Sequence, residues 1–99
     1  MKIPDKVKIG YKDIKVLKTD GDVIDGTTLC YGVIRHNDCI IEISTKYADD
    51  VQKCALIHEI IHGIDDIFNI DLREEQVDQL AKGLYQVIKD NPDVFTPAP

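Results

Sequence analysis

The chain has 99 residues, 43% of them hydrophobic and 30% charged, with no Trp. That is one domain at most, residues 1–99, with a small core and too much Val, Ile and Leu for disorder. The formal net charge is −6, from 18 acidic and 12 basic residues. Binding to a phosphate backbone needs clustered Lys and Arg, so no nucleic-acid partner is expected. No apolar run approaches the roughly 20 residues that span a bilayer, so no membrane partner is expected either. Met1 to Lys6 lacks the apolar segment of a secretory signal. Cys30, Cys39 and Cys54 are an odd number without a close pair, unlike a secreted disulfide scaffold. The expected compartment is the reduced cytoplasm.

In chain order, Lys6 to Lys18 alternates apolar and polar residues (Val7, Ile9, Tyr11, then Ile14, Val16) with an interruption near Lys12-Asp13. This period of two predicts a strand, a tight turn and a second strand. Asp20-Gly21-Asp22 and Asp25-Gly26 are turn signals. Thr28 to Arg35 reads as one strand, His36-Asn37-Asp38 as a turn, and the β-branched run Cys39 to Ser44 as its hairpin partner. The period then changes. Asp49 has the spacing of an N-cap with Gln52 three residues on, and a helix is predicted from about Asp50 to Phe68. It is apolar almost all round at Ala55-Leu56-Ile57 and Ile60-Ile61, the profile of a central, buried helix. A second helix, Glu74 to Lys89, carries apolar residues at 77, 80, 81, 84, 87 and 88, one continuous face. Asp90-Asn91-Pro92 ends it, and a loose tail is expected from about residue 93 to 99. The predicted class is α+β: a small antiparallel sheet packed on a central helix and a second, C-terminal helix.

Chemistry concentrates in His58-Glu59-Ile60-Ile61-His62, an HExxH motif. Positions 58 and 62 are one helical turn apart, about 6 Å in rise, so both imidazoles can converge on one ion. Glu59 lies about 100° round the helix, unable to share that position but able to reach a water beside it. Two nitrogen ligands with a carboxylate base alongside are what a hydrolytic zinc site requires. Burying three ionisable groups in an apolar helix without such a purpose would be costly.

A third protein ligand is needed. The metzincin extension is excluded, because Phe68 stands where its third His would be. Asp65 lies one turn beyond His62 on the same face, with a short side chain. On the second helix, with Val77 set at 0°, Glu74 falls at about 60° and Glu75 at about 160°. Glu74 therefore flanks the buried face and is the favoured ligand, while Glu75 points to solvent. Asp78, at about 100°, is placed one turn on to accept the free N–H of a ligand histidine. Tyr31, Tyr47, Tyr85 and His36 are candidate oxyanion donors, none favoured. Ile40 to Ser44 is a candidate edge strand for holding an extended peptide.

The run His58-Glu59-Ile60-Ile61-His62, followed by Glu74-x-x-Val77-Asp78-x-Leu80-Ala81-x-x-Leu84, resembles the small phage and prophage zinc-metallopeptidase-like proteins related to the ImmA/IrrE group of gluzincins. The opening Lys8-Ile9-Gly10 with a following Val16 is similar to the start of short phage-encoded members, so the resemblance spans about residues 6 to 92. It implies a compact metallopeptidase fold with zinc held by His58, His62 and Glu74, and Glu59 as catalytic base. It also implies a protein or peptide substrate, such as a regulator, and a host-cell cytoplasmic setting. Asp78 departs from the more usual Asn and Ile61 from the Gly that often precedes the second His, and the 99 residues are at the short end for such proteins. The expected function is zinc-dependent peptide hydrolysis. The alternative is a non-catalytic, phage-encoded zinc-binding module that engages a protein partner.

Overall fold

The alternating residues of the N-terminal segment form an antiparallel pair, β1 (Lys6–Ile9) and β2 (Lys12–Thr19), in the computed structural model, which describes residues 1–97. Ile9, Ile14 and Val16 point inward while Lys6, Lys8 and Lys15 stay exposed, as strand alternation requires. The reversal falls at Gly10-Tyr11, ahead of the expected Lys12-Asp13, because Gly10 supplies the left-handed conformation (φ 56°). Tyr11 sits in that turn, outside the alternation.

The stretch read as one strand over residues 28–35 is two. Tyr31 separates β4 (Thr28–Cys30) from β5 (Gly32–Arg35), and the two join different sheets. β4 pairs with β3 (Val23–Asp25) as a separate two-stranded hairpin, its turn at Gly26-Thr27. β5 pairs antiparallel with β6 (Ile40–Ser44), the expected hairpin. The main sheet runs β1-β2-β6-β5. It is antiparallel apart from one parallel contact between β2 and β6, in the register Lys15↔Ile40 to Thr19↔Ser44. That pairing covers the second side of β6, so Ile40–Ser44 is an inner strand and not the expected edge. The edges are β1 and β5.

Helix α1 (Asp49–Phe68) lies between this sheet and α2 (Glu74–Asp90), giving the α+β architecture. Ala48, not Asp49, is the residue flanking α1; Asp49 and Asp50 occupy its first turn, where their charge favours the helix dipole. Gln52 donates from its side chain to the Tyr47 carbonyl (2.8 Å). On one side Ala55 and Leu56 join Ile9, Ile14, Val16, Ile41 and Ile43. On the other, Ile57 and Ile61 pack against Val77 and Ala81 of α2. Gly63 permits the close approach to the sheet, since a Cβ there would stand 2.7 Å from Ile9 Cδ1. The helix ends at Asn69 in the left-handed conformation, with Asp65 Oδ1 accepting from Leu72 N–H (3.0 Å) and so fixing the connection to α2.

Only part of the apolar face of α2 is covered. Val77 and Ala81 are buried, but Leu80, Leu84 and Val87 remain 51%, 39% and 39% exposed. Pro92–Phe95 form one turn of 3-10 helix within the span expected to be loose; residues 98 and 99 lie outside the described residues. Among the described residues no helix is long and apolar enough to cross a membrane.

This difference in cover predicts a difference in stability. Leu56→Ala, at a position 1% exposed, should lower the unfolding free energy by about 2–5 kcal/mol, and Leu80→Ala by less than about 1 kcal/mol. Urea titration of the two variants checks it. Similar losses would mean that the outer face of α2 is covered in solution.

Candidate metal centre

His58 and His62 project from the same side of α1, their ring centroids 4.9 Å apart. Packing of Val77 and Ala81 against α1 brings the N-terminal turn of α2 over them. Glu74 then reaches both: Oε1 lies 2.8 Å from His58 Nε2 and Oε2 lies 2.9 Å from His62 Nε2. One ligand atom from each of the three residues can be chosen so that all lie within 4.8 Å of one another. Glu75 turns away and pairs with Arg73 (2.7 Å), as the helical-wheel angle predicts.

The donor set fits a tetrahedral divalent ion. Ligands at about 2.0–2.2 Å in tetrahedral geometry stand roughly 3.3–3.5 Å from one another. The imidazole–carboxylate contacts would open by about half an ångström to admit it, a movement exposed Glu74 can make. Asp78 Oδ1 faces His58 Nδ1 at 3.7 Å, beyond hydrogen-bond distance, while its other oxygen is held by Lys82 (2.8 Å). Asp78 is thus on the expected side of His58, without the expected hydrogen bond. Its carboxyl is held below the usual range, chiefly by that Lys82 bond.

Glu59 occupies the third direction. It is buried (7% exposed) and faces β5. Gly32 makes room for this: a Cβ there would stand 2.8 Å from Ile43 Cδ1, 3.0 Å from the Glu42 carbonyl oxygen and 3.6 Å from Glu59 Cγ. Burial, reinforced by the charge of Glu74, pushes the Glu59 carboxyl up to about 7, with a backbone hydrogen bond from Ile34 opposing the shift. Burial also lowers the His62 pKa, against the pull of Glu74.

These groups line a cleft whose other wall is the β3–β4 hairpin and β5, through Asp25, Cys30, Tyr31, Gly32 and Val33. Of the candidate oxyanion donors, Tyr31 alone lines it, stacked edge-on against Tyr47. Tyr85 donates to the Asp50 carboxylate and His36 pairs with Asp66 (3.5 Å), both away from the cleft. Asp65 is engaged with Leu72 N–H and is not part of the histidine cluster. Sequence reasoning misses Asp25, Cys30, Gly32 and Val33 as lining residues; only the Asp25-Gly26 turn signal marks any of them. Cys30, Cys39 and Cys54 are free thiols. Comparison with protein-family models, curated proteins and solved structures finds no match for this chain.

The geometry sets two expectations. Chain produced with zinc should carry about one zinc, and Glu74→Gln should weaken zinc binding by at least about tenfold, whereas Glu75→Gln should leave it within about twofold. Competition with a chelator measures this, and equal losses would place the wrong helix face at the metal. The second concerns Glu59 in chelator. Its folded pKa, about 7 against an ordinary 4.5, lies above the unfolded value, so folding favours the protonated form. Stability should fall as pH rises from about 4.5 to about 7, by roughly 2–3 kcal/mol for this group. Urea unfolding at pH 5 and pH 7.5 should show that loss relative to Glu59→Gln, which lacks the titrating group.

Proposed function

We propose that this chain is a zinc-dependent metallopeptidase of gluzincin type, in keeping with the resemblance to the ImmA/IrrE group. The observation that carries the reading is the convergence of His58, His62 and Glu74 on one point beside a buried carboxyl that is not itself a ligand. His58, His62 and Glu74 would hold the zinc. When bound, zinc polarises a scissile carbonyl and brings the pKa of water towards neutrality. Glu59 takes the proton of the attacking water on its carboxylate and gives it to the leaving amine. The free edge of β5, at Gly32 along the cleft, offers its backbone N–H and C=O to an extended peptide. The substrate class is a protein or peptide, such as a regulator, met in the cytoplasm.

A second reading is a non-catalytic zinc-binding module that engages a protein partner. It is supported by the uncovered Leu80, Leu84 and Val87 of α2 and by the engagement of Tyr85 with Asp50, which takes it away from oxyanion duty.

The substitution that separates the two is Glu59→Gln, which should leave fold and zinc in place. Loss of the base should slow hydrolysis by about 100- to 10,000-fold. Sequencing the new protein N-termini in host cells that produce wild type or Glu59→Gln provides the measurement, whichever protein is cut. Cleavage products confined to wild type support the peptidase. Identical products from two folded, zinc-loaded proteins would replace it with the binding module.

A further inference from the structure

The charge of the cleft is not balanced by its own residues. No Lys or Arg lines it. With a divalent ion in place, Glu74 and ionised Glu59 offset its two charges. Asp78 is neutralised by Lys82 at 2.8 Å. Asp25 remains. It is exposed at the end of β3, beside the hairpin turn, on the wall facing the histidines. Among the described residues every Lys or Arg that forms an ion pair does so with another acid.

We propose that Asp25 is a specificity-determining residue, selecting substrates that carry a cationic nitrogen next to the scissile bond. The inference rests on the peptidase reading and names its substrate class. A peptide laid along β5 would pass between the hairpin and α1, so its side chains near the metal would lie within reach of the hairpin tip. A positive group there meets a carboxylate that no ion pair holds, while a negative group meets its repulsion; the neighbouring cation, Arg35, is engaged by Glu42 (3.0 Å) and by the Ile24 carbonyl (3.5 Å). The nitrogen could belong to a Lys or Arg side chain or to the free amine of a peptide N-terminus. Both present the same cationic N–H chemistry. The hairpin is suited to the task because Asp25 is next to Gly26 in a two-stranded unit outside the main sheet, so its side chain is not committed to the core.

The test uses full-length, zinc-loaded Glu59→Gln protein as a binding scaffold and wild type for turnover. The probes are fluorescent Ala/Leu octapeptides carrying Lys, Gln or Glu at one scanned position, each with a free or an acetylated N-terminus. Lys peptides should bind and be cleaved about three- to tenfold better than Gln peptides, with Glu peptides weakest, and the preference should shrink with added salt. If the acetylated peptides keep the preference, the side chain is the source; if only free peptides are favoured, the N-terminal amine is. Asp25→Asn should bring Lys and Gln peptides within about twofold, and Asp25→Glu should retain the preference, which guards against a simple folding defect. Peptide binding or cleavage indifferent to charge, or a preference unchanged in folded Asp25→Asn, overturns the inference and leaves the peptidase reading standing. Absence of binding and cleavage for every peptide by zinc-loaded protein removes the peptidase reading, and the inference with it.

Discussion

The contact between α1 and α2 decides where every candidate ligand sits. Each helix carries an apolar row at i, i+4 spacing, Ile57 and Ile61 on α1, Val77 and Ala81 on α2, and these rows bury against each other. Beside each apolar row runs a polar one at the same spacing: His58 and His62 on α1, Glu74 and Asp78 on α2. Seating the apolar rows therefore brings the polar rows face to face. Glu74 meets both imidazoles and Asp78 meets the back of His58. The small side chain of Ala81 keeps the two helices close. The site needs no loop to complete its ligand set: all three donors stand on helices.

A third row of α1 explains Glu59. Glu59 and Gly63 are also four residues apart, and both turn towards the sheet. Gly63 lets the helix settle onto Ile9 and Ile34, while Gly32 lets β5 settle onto Glu59. Glycine on each element thus narrows the space around the carboxyl until it is desolvated. Desolvation penalises the ionised form and raises the pKa. The same tight packing that gives a chain of 99 residues a usable core also tunes Glu59.

The two helices and their pairing are legible because long amphipathic segments repeat their signal. The wheel angles place Glu74 beside the buried face and Glu75 outside it, and Arg73 does hold Glu75 away. The wheel overestimates the cover of α2, since it treats an apolar stripe as uniformly buried. Here α1 shields only the Val77 and Ala81 side, leaving Leu80 and Leu84 exposed. The segment between β2 and β6 is poorly legible for a different reason. β3 and β4 have three residues each, too few for a period to show, so they read as turns and as part of a longer strand. The parallel β2–β6 pairing joins segments whose contact no local pattern encodes. It is this pairing that moves the free edge from β6 to β5 and so changes which backbone faces the histidines. Asp25 cannot be found from sequence, because its place in the cleft follows from a hairpin that the local pattern hides.

Protons and a divalent ion compete for the same groups in this cleft. The Nε2 atoms of His58 and His62 face Glu74 at hydrogen-bond distance, and a carboxylate can only accept, so each close contact is favoured by an N–H on the ring. An ion held there needs both nitrogens bare. Glu59, buried beside them, favours its proton until a nearby positive charge offsets the desolvation. Neutral rings leave Nε2 bare by carrying their N–H on Nδ1, and a divalent charge held beside Glu59 would favour the carboxylate that peptide hydrolysis requires. On the proposed reading, the burial of Glu59 is more than a by-product of packing. It keeps an uncompensated charge out of the core without metal and yields a carboxylate once metal is present.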